Sequence, residues 1–368
     1  MSFDFTPLNR VIFAPGVLSQ IGSLAAELGG RTIFLVTDRG LATVGHPQRA
    51  TSILESAGLK VVVWDDVKEN PTSQQVADGA AIAKAADINL IVSLGGGSAM
   101  DAAKGVNFIL TNGGTMADYK GMGRAKSPML PSIGIPTTTG TGSEAQSYAL
   151  ITDTSSRMKM ACGDKKAAFR IAILDPELTV SQPAYISAVT GIDAIAHAIE
   201  SIVCKKSTPV SKVFSQSAWD YLSSSFDRTI SHPLDIAARA GMQIGSHFAG
   251  VAIENAMLGV CHSCANPLTA HYGITHGSAI GTLLPHVIRF NSVVCEQDYA
   301  LMGGSDFLAS YITNLLCKTG LPTQLREYGV AESILPLLAS EAGQQWTAQF
   351  NPRTVTEEDL LDIYRSAW

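Results

Sequence analysis

The chain has 368 residues, 46% of them hydrophobic and only 16% charged; this excludes a disordered or fibrous protein and exceeds the size at which a single hydrophobic core stops growing. Its net charge of −6, with Lys and Arg scattered along the chain, argues against a nucleic-acid partner. The opening MSFDFTPLNR lacks the basic and apolar regions of a signal peptide, and no uninterrupted apolar run of about eighteen residues marks a membrane span, so a cytoplasmic protein with no membrane partner is expected.

In chain order, RTIFLVT (31–37), LKVVVWD (59–65), INLIVSLGGG (88–97) and PSIGIPTT (131–138) read as strands, because they are β-branched apolar runs that stop at Gly, Pro, Asp or Thr. Between them, GVLSQIGSLAAEL, HPQRATSILESAG and TSQQVADGAAIAKAA read as helices. The alternation predicts a Rossmann-like α/β domain, a parallel sheet covered by helices on both faces. Beyond residue 180 the β-rich runs cease, and PAYISAVTGIDAIAHAIESIV and LDIAARAGMQIGSHFAGVAIENAMLG predict an all-α second domain. The expected division is 1–181 and 182–368, with the junction at Gln182 and Pro183.

Two loops of the first domain suit phosphate. SLGGGSAMDAAKG places Gly95, Gly96, Gly97 and Ser98 between a strand and a helix, where bare N–H groups and the helix dipole meet an anion. This is not the G-x-G-x-x-G pattern, and a plain tight turn is an equally good reading of it. PTTTGTGSE (136–144) follows another strand and adds hydroxyls from Thr137, Thr138, Thr139, Thr141 and Ser143. Together they suggest a nucleotide across the carboxyl edge of the sheet. Asp38, ending IFLVTD, suits a ribose hydroxyl and repels a phosphate there, which favours NAD(H) over NADP(H); a helix cap is its ordinary alternative.

The second domain carries a constellation with metal-ligand spacing. Asp193 and His197 stand four apart in GIDAIAHAIE and share one helix face. His262 and His276 stand fourteen apart in LGVCHSCANPLTAHYGITHG, with Pro267 and Gly273 between them to turn the backbone. One carboxylate and three imidazoles suit a single divalent ion, Fe(II) first with Zn as the alternative, able to polarise a substrate oxygen. His46, His232, His247 and His286 read as ordinary core or surface histidines. The six cysteines, Cys162, Cys204, Cys261, Cys264, Cys295 and Cys317, show no disulfide spacing and are expected to be reduced and buried. The Cys261/Cys264 C-x-x-C reads as packing that sets a thiol near the metal.

The ordered motifs GGGSAMDAAK, PTTTGTGSE, DPELT, TGIDAIAHAIE, LGVCHSCANPL, THGSAIGTLLPHVIRFN and NPRTVTEEDL closely resemble the iron-containing (group III) alcohol dehydrogenase family over nearly the whole chain. The resemblance implies a dinucleotide-binding α/β domain, a helical domain, and a cleft between them holding metal and nicotinamide. It implies hydride transfer between NAD(P)H and small aldehydes or primary alcohols, and a homodimer or larger homo-oligomer. It makes Asp193, His197, His262 and His276 the metal ligands. It assigns Gly96, Gly97, Ser98 and Asp101 to the pyrophosphate, Thr137, Thr138 and Thr141 to phosphate or adenosine, and Lys159 in SSRMKM to the nicotinamide ribose. Gln146, Tyr148, Ile253 and Leu258 fall where the family lines its substrate pocket, although Ile253 and Leu258 read equally as core.

One position departs from the resemblance. Relatives commonly carry a second histidine four residues after the first on this helix, whereas here Asn266 follows His262. Asn does not titrate, so a proton relay would pass to His271, water or ribose hydroxyls, and Asn266 would instead bond a polar group of a functionalised aldehyde. Three alternatives stay open: a glycerol-dehydrogenase-like polyol dehydrogenase (or the related dehydroquinate-synthase type), a transhydrogenase or hydroxyacid/oxoacid reductase, and a non-enzymatic nucleotide- or metal-binding sensor.

Overall fold

A computed structural model describes residues 3–155 and 158–368. The strands are β1 (Arg10–Phe13), β2 (Thr32–Val36), β3 (Lys60–Trp64), β4 (Leu90–Gly95), β5 (Gly121–Met122), β6 (Ser132–Pro136), β7 (Tyr148–Thr152), β8 (Lys159–Gly163) and β9 (Ile171–Leu174). The helices of this half are α1 (Ile21–Glu27), α2 (Arg39–Val44), α3 (His46–Ser56), α4 (Ser73–Ala85) and α5 (Gly97–Asn112).

Strand alternation builds two cores from one sheet. Ile33 and Leu35 of β2, with Leu90, Val92 and Leu94 of β4, pack under α1 and α3; Phe34, Val36 and Ile91 face the other way, toward α4 and α5. Both faces are buried, so the strands read as near-continuous apolar runs. The strand order is β1-β9-β6-β4-β2-β3, with every neighbouring pair parallel. The chain leaves β2 for β3 on one side and returns to β4 on the other. That reversal opens a crevice at the carboxyl ends of β2 and β4, where Asp38 and the glycine run follow their strands.

A second sheet, in the order β5-β8-β7, pairs β7 antiparallel to β8, with Thr152 opposite Lys159. The sequence reading had no counterpart for it. It carries Tyr148 and Lys159 on its two long strands.

The second half comprises α6 (Ala184–Val203), α7 (Pro209–Ser231), α8 (Ile236–Glu254), α9 (Val260–Tyr272), α10 (His276–Tyr299), α11 (Ser305–Thr319), α12 (Leu335–Gly343) and α13 (Glu357–Ala367). Helix α6 is long and apolar enough, by length and composition, to cross a membrane, yet its most apolar stretch is 89% buried among the other helices. It is hydrophobic on all sides because it is the central helix of this core. The chain falls into two compact units: Thr6–Thr138 with Gly142–Gln182, and Pro183–Trp368 with Thr139–Thr141 and an N-terminal piece ending at Phe5. The short Thr139–Thr141 excursion belongs to the helical unit because it lies on α6: a Cβ on Gly140 would sit 2.5 Å from the Thr190 Cβ.

Candidate metal centre and nucleotide loops

Asp193 and His197 lie mid-way along α6, one turn apart, so both face the same neighbours. His262 comes from the first turn of α9 and His276 opens α10. Asp193 Oδ1 lies 3.5 Å from His197 Nε2, 3.5 Å from His262 Nε2 and 3.8 Å from His276 Nε2. Donors sharing one ion at bond lengths of about 2.1 Å stand about 3.4 Å from one another; the ligand atoms of Asp193, His262 and His276 all lie within 4.8 Å of one another, which suits a single cation, and His197 Nε2 adjoins this trio through Asp193 Oδ1 alone. Asp193 Oδ1 and His262 Nε2 are buried and make no hydrogen bond among the described residues; buried polar atoms left this way are costly unless something else satisfies them. The His276 side chain is 30% exposed while the Asp193 and His262 side chains are under 10%, which leaves the set open on one side, as a catalytic metal site requires.

The turn that delivers His276 is made by Gly273, whose φ of 64° is the left-handed conformation that ends α9. Pro267 plays no part in it, contrary to the sequence reading: it lies inside α9, which continues five residues past it. Gly277 allows the closest approach of α10 to α6, since a Cβ there would lie 2.0 Å from the Val189 carbonyl oxygen. That contact fixes His276 one α6 turn from Asp193.

Charge is balanced within the cluster. Burial alone would raise the Asp193 carboxyl, but His197, His262 and His276 outweigh it and hold the group below the ordinary carboxylate range. Burial likewise opposes the His262 imidazolium, yet Glu200 and Asp193 carry its pKa up to about 9. His197 is lowered, by burial first. The set is electron-rich and collects cations, whether protons or a metal.

Glu200 was not singled out from the sequence. It lies one turn beyond His197 on α6, its Oε2 is 2.5 Å from His262 Nδ1, and its Oε1 accepts the Cys261 N–H at 2.8 Å. Its signal was present as the last letter of D-x-x-x-H-x-x-E, a spacing that keeps all three carboxylate and imidazole groups on one stripe.

Placement corrects the reading of His271. It stands nine residues after His262, two and a half helical turns, and so faces the opposite side of α9. There it is half exposed and bonded to Glu341 at 2.8 Å, outside the cluster. Asn266, one turn after His262, is half buried and donates from Nδ2 to Gln345 Oε1 at 3.1 Å. Cys317 is exposed, against the expectation that every cysteine is buried. Cys261 and Cys264 are free and buried, and burial pushes both thiols up.

In the other unit, Gly95 ends β4, Gly96 precedes α5, and Gly97 and Ser98 open it. Gly96, the residue before α5, brings no side-chain cap, so the N–H groups of the first turn find no side-chain acceptor among the described residues. Thr137 continues the β4 ladder by donating its N–H to Gly95 O, and Thr138 packs over Gly96. Ser98 Oγ accepts the Asn70 N–H at 3.2 Å, with Asn70 itself in the left-handed region at φ 54°. Asp38 caps α2 by accepting the Leu41 N–H on Oδ1, while Oδ2 lies toward Gly95. Both of its sequence readings are therefore compatible, one per oxygen. Thr141 is grouped with the helical unit, whereas Thr137 and Thr138 belong to the other.

A buried lysine that the sequence reading passed over ties these loops together. Lys104, 2% exposed, donates to Ser143 O, Ser143 Oγ and Tyr148 O at 2.7–2.9 Å, and Ser143 in turn donates to Asp101 at 2.8 Å. Burial raises the Asp101 carboxyl, opposed by Lys104, Ser143 and Lys159. Lys159 itself is exposed at the start of β8; Ser156 and Arg157 of its motif lie outside the described residues. Gln146 and Tyr148 are half buried beside this network, and in the helical unit Ile253 is buried at the end of α8 and Leu258 half buried before α9.

Two family models match the chain: iron-containing alcohol dehydrogenase over residues 8–176, and the C-terminal part of the Fe-containing alcohol dehydrogenase family over residues 187–368. An NAD-dependent methanol dehydrogenase of Bacillus methanolicus is 32% identical, with both chains covered completely. The crystal structure of a 1,3-propanediol oxidoreductase superposes with a TM-score of 0.96 at 32% identity, again over both full chains. A sulfoacetaldehyde reductase from Bifidobacterium kashiwanohense, in complex with NAD+, superposes with a TM-score of 0.91 at 28% identity over 100% of this chain and 99% of that one.

Proposed function

The chain belongs to the iron-containing alcohol dehydrogenase family and is an oxidoreductase of the alcohol dehydrogenase type; from that premise we propose that it interconverts small aldehydes and primary alcohols with NAD(H), around one divalent cation held by Asp193, His197, His262 and His276. The observation that carries this reading is the buried Asp193 Oδ1 with three imidazole Nε2 atoms 3.5–3.8 Å away. When bound, such a cation supplies Lewis-acid polarisation of a carbonyl oxygen, and a nicotinamide supplies or accepts the hydride.

The residues divide the remaining work. Asp193 neutralises part of the cation's charge, and the imidazoles of His197, His262 and His276 fix its position while the His276 side stays open to substrate. The first-turn N–H groups of α5, from Gly96, Gly97 and Ser98, take the pyrophosphate, with hydroxyls of Thr137, Thr138 and Thr141 nearby in the chain. Asp38 Oδ2 accepts ribose hydroxyls and repels a 2′-phosphate, which favours NAD(H) over NADP(H). Lys159 donates to the nicotinamide ribose, and Asp101 keeps its loop in place. Gln146, Tyr148, Ile253 and Leu258 line the substrate pocket in this reading.

Asn266 offers no titratable proton, so it acts as a hydrogen-bonding group, paired with Gln345. An amide pair one turn from a metal ligand suits aldehydes bearing a hydroxyl or anionic group. Fe(II) is the cation first in line, with Zn as the alternative for the same donor set. A homodimer or larger homo-oligomer is carried over from the family resemblance.

The test is NADH oxidation by metal-free and Fe(II)- or Zn-loaded protein, over aldehydes carrying hydroxyl, carboxylate or sulfonate groups. Turnover should vanish on demetallation, return on reloading, and stay absent in Asp193→Ala. Full turnover by exhaustively demetallated protein would refute the metal's role.

A further inference from the structure

Asn291 ends THGSAIGTLLPHVIRFN and Asn351 opens NPRTVTEEDL, two motifs to which the reaction assigns no task at these positions. Both side chains are buried, at 1% and 0% exposure, and they bond reciprocally: Asn291 Nδ2 donates to Asn351 Oδ1 at 3.0 Å, and Asn351 Nδ2 to Asn291 Oδ1 at 2.8 Å. Asn351 Nδ2 also donates to Arg353 O at 2.9 Å. Asn351 Oδ1 accepts a further N–H, that of Val260, the first residue of α9, at 3.4 Å.

The next two donors of the same turn go to Glu200. Cys261 N–H donates to Oε1 at 2.8 Å, and His262 Nδ1 faces Oε2 at 2.5 Å. Gly259, before α9, supplies no side-chain cap. A Cβ there would lie 2.9 Å from both Asn351 Oδ1 and Glu200 Oε1, so the missing side chain is what lets these two reach the turn. A helix start needs its N–H groups satisfied, and a local Ser or Asp does so with one side chain. Here the acceptors come from 61 and 91 residues away, and every one of them is buried.

We propose that Glu200 and the Asn291–Asn351 pair are positioning residues for His262: together they fix the first turn of α9 and the tautomer of the imidazole it carries. This rests on the metal reading above. A proton kept on Nδ1, donated to Glu200 Oε2, assigns Nε2, which faces Asp193 Oδ1 at 3.5 Å, to the cation, so that a metal binding there displaces only a proton from Nε2. The requirement at position 200 is two acceptors on one side chain, which a carboxylate meets and an amide does not. In Glu200→Gln the amide nitrogen meets either the Cys261 N–H, donor against donor, or His262 Nδ1; in the latter case it donates to Nδ1 and moves the ring proton onto Nε2, blocking the lone pair.

Anaerobic titration of the metal-free full chain with Co(II), followed by its visible d–d bands, tests this. Five proteins are compared: wild type, Glu200→Gln, Glu200→Asp, Asn351→Ser and Asp193→Ala, with the NAD+ dissociation constant and thermal midpoint measured alongside. Glu200→Gln should weaken Co(II) binding roughly 10- to 100-fold and alter the d–d bands, with NAD+ affinity unchanged. Asn351→Ser should weaken it by a smaller factor, and Glu200→Asp should restore part of the loss. Co(II) affinity within about twofold of wild type in Glu200→Gln, alongside loss in Asp193→Ala, overturns the positioning role and leaves the metal site standing. Unchanged affinity in Asp193→Ala overturns the metal reading itself. Should Glu200→Gln fail to fold, Asn351→Ser decides by the same criterion: retained affinity and unchanged bands overturn the proposal.

Discussion

Asp38 has two oxygens and two employments. Oδ1 is committed to the Leu41 N–H, whereas Oδ2 turns toward the glycine run, so replacing the residue removes a cap and a charge together. Asp38→Gly is expected to raise kcat/KM with NADP(H) by at least about tenfold, the equivalent of about 1.4 kcal/mol, because a 2′-phosphate no longer meets a carboxylate. A glycine cap costs α2 only a few tenths of a kcal/mol, so stability should hardly move. Steady-state kinetics with both cofactors checks this; an unchanged ratio would show that Asp38 serves α2 alone. At this scale the sequence revealed residues whose chemistry is rare and regularly spaced, such as Asp193, His197, His262 and His276. It did not reveal Glu200, Lys104 or Asn351, because acidic, basic and amide side chains are common and their roles depend on partners 39 to 91 residues away. His271 shows the converse error: closeness in sequence to His262 does not mean closeness in space, since helical phase turns it to the other side.

Helices α6, α9 and α10 meet where small residues permit it. Gly277 is the tightest such place, with the Val189 carbonyl 2.0 Å from where a Cβ would stand. Gly277→Ala must push α10 off α6, destabilising the chain by on the order of 1–3 kcal/mol and carrying His276 away from Asp193. The expected result is a lower thermal midpoint together with weaker metal retention by atomic absorption; wild-type metal content in a destabilised variant would uncouple this contact from the site. The helices themselves were legible from their apolar runs. Strands β2, β4 and β6 were legible too, being buried on both faces and continuously apolar, and edge strand β3 was legible from its KVVVW run although it is partly exposed. β1 and β9 are only four residues each, and β7 and β8 belong to a small sheet whose exposed positions break the apolar run, so neither pattern stands out from a loop.

Across the whole molecule, the proposed function is divided between units that the sequence also separates by composition: the loops proposed for the nucleotide at strand ends in one, the proposed metal ligands on helices in the other. Histidines outside the cluster bear on stability instead. Burial, helped by Arg289, lowers the His286 imidazole to about 4. Between that value and the ordinary 6.5 the unfolded chain binds a proton that the folded chain does not, so stability falls as pH drops through this window. Urea midpoints between pH 4 and 7 should therefore show a shallower pH slope in His286→Gln than in wild type; parallel slopes would mean that the ring is charged in the folded chain. The most direct test of the metal site is X-ray absorption at the metal edge of protein loaded with one equivalent of Fe(II) or Zn. The ligand set predicts a nitrogen and oxygen shell at about 2.1 Å with the multiple scattering of three imidazoles and no sulfur. A sulfur shell at about 2.3 Å, from Cys261 or Cys264, or a spectrum without imidazole scattering, would contradict it.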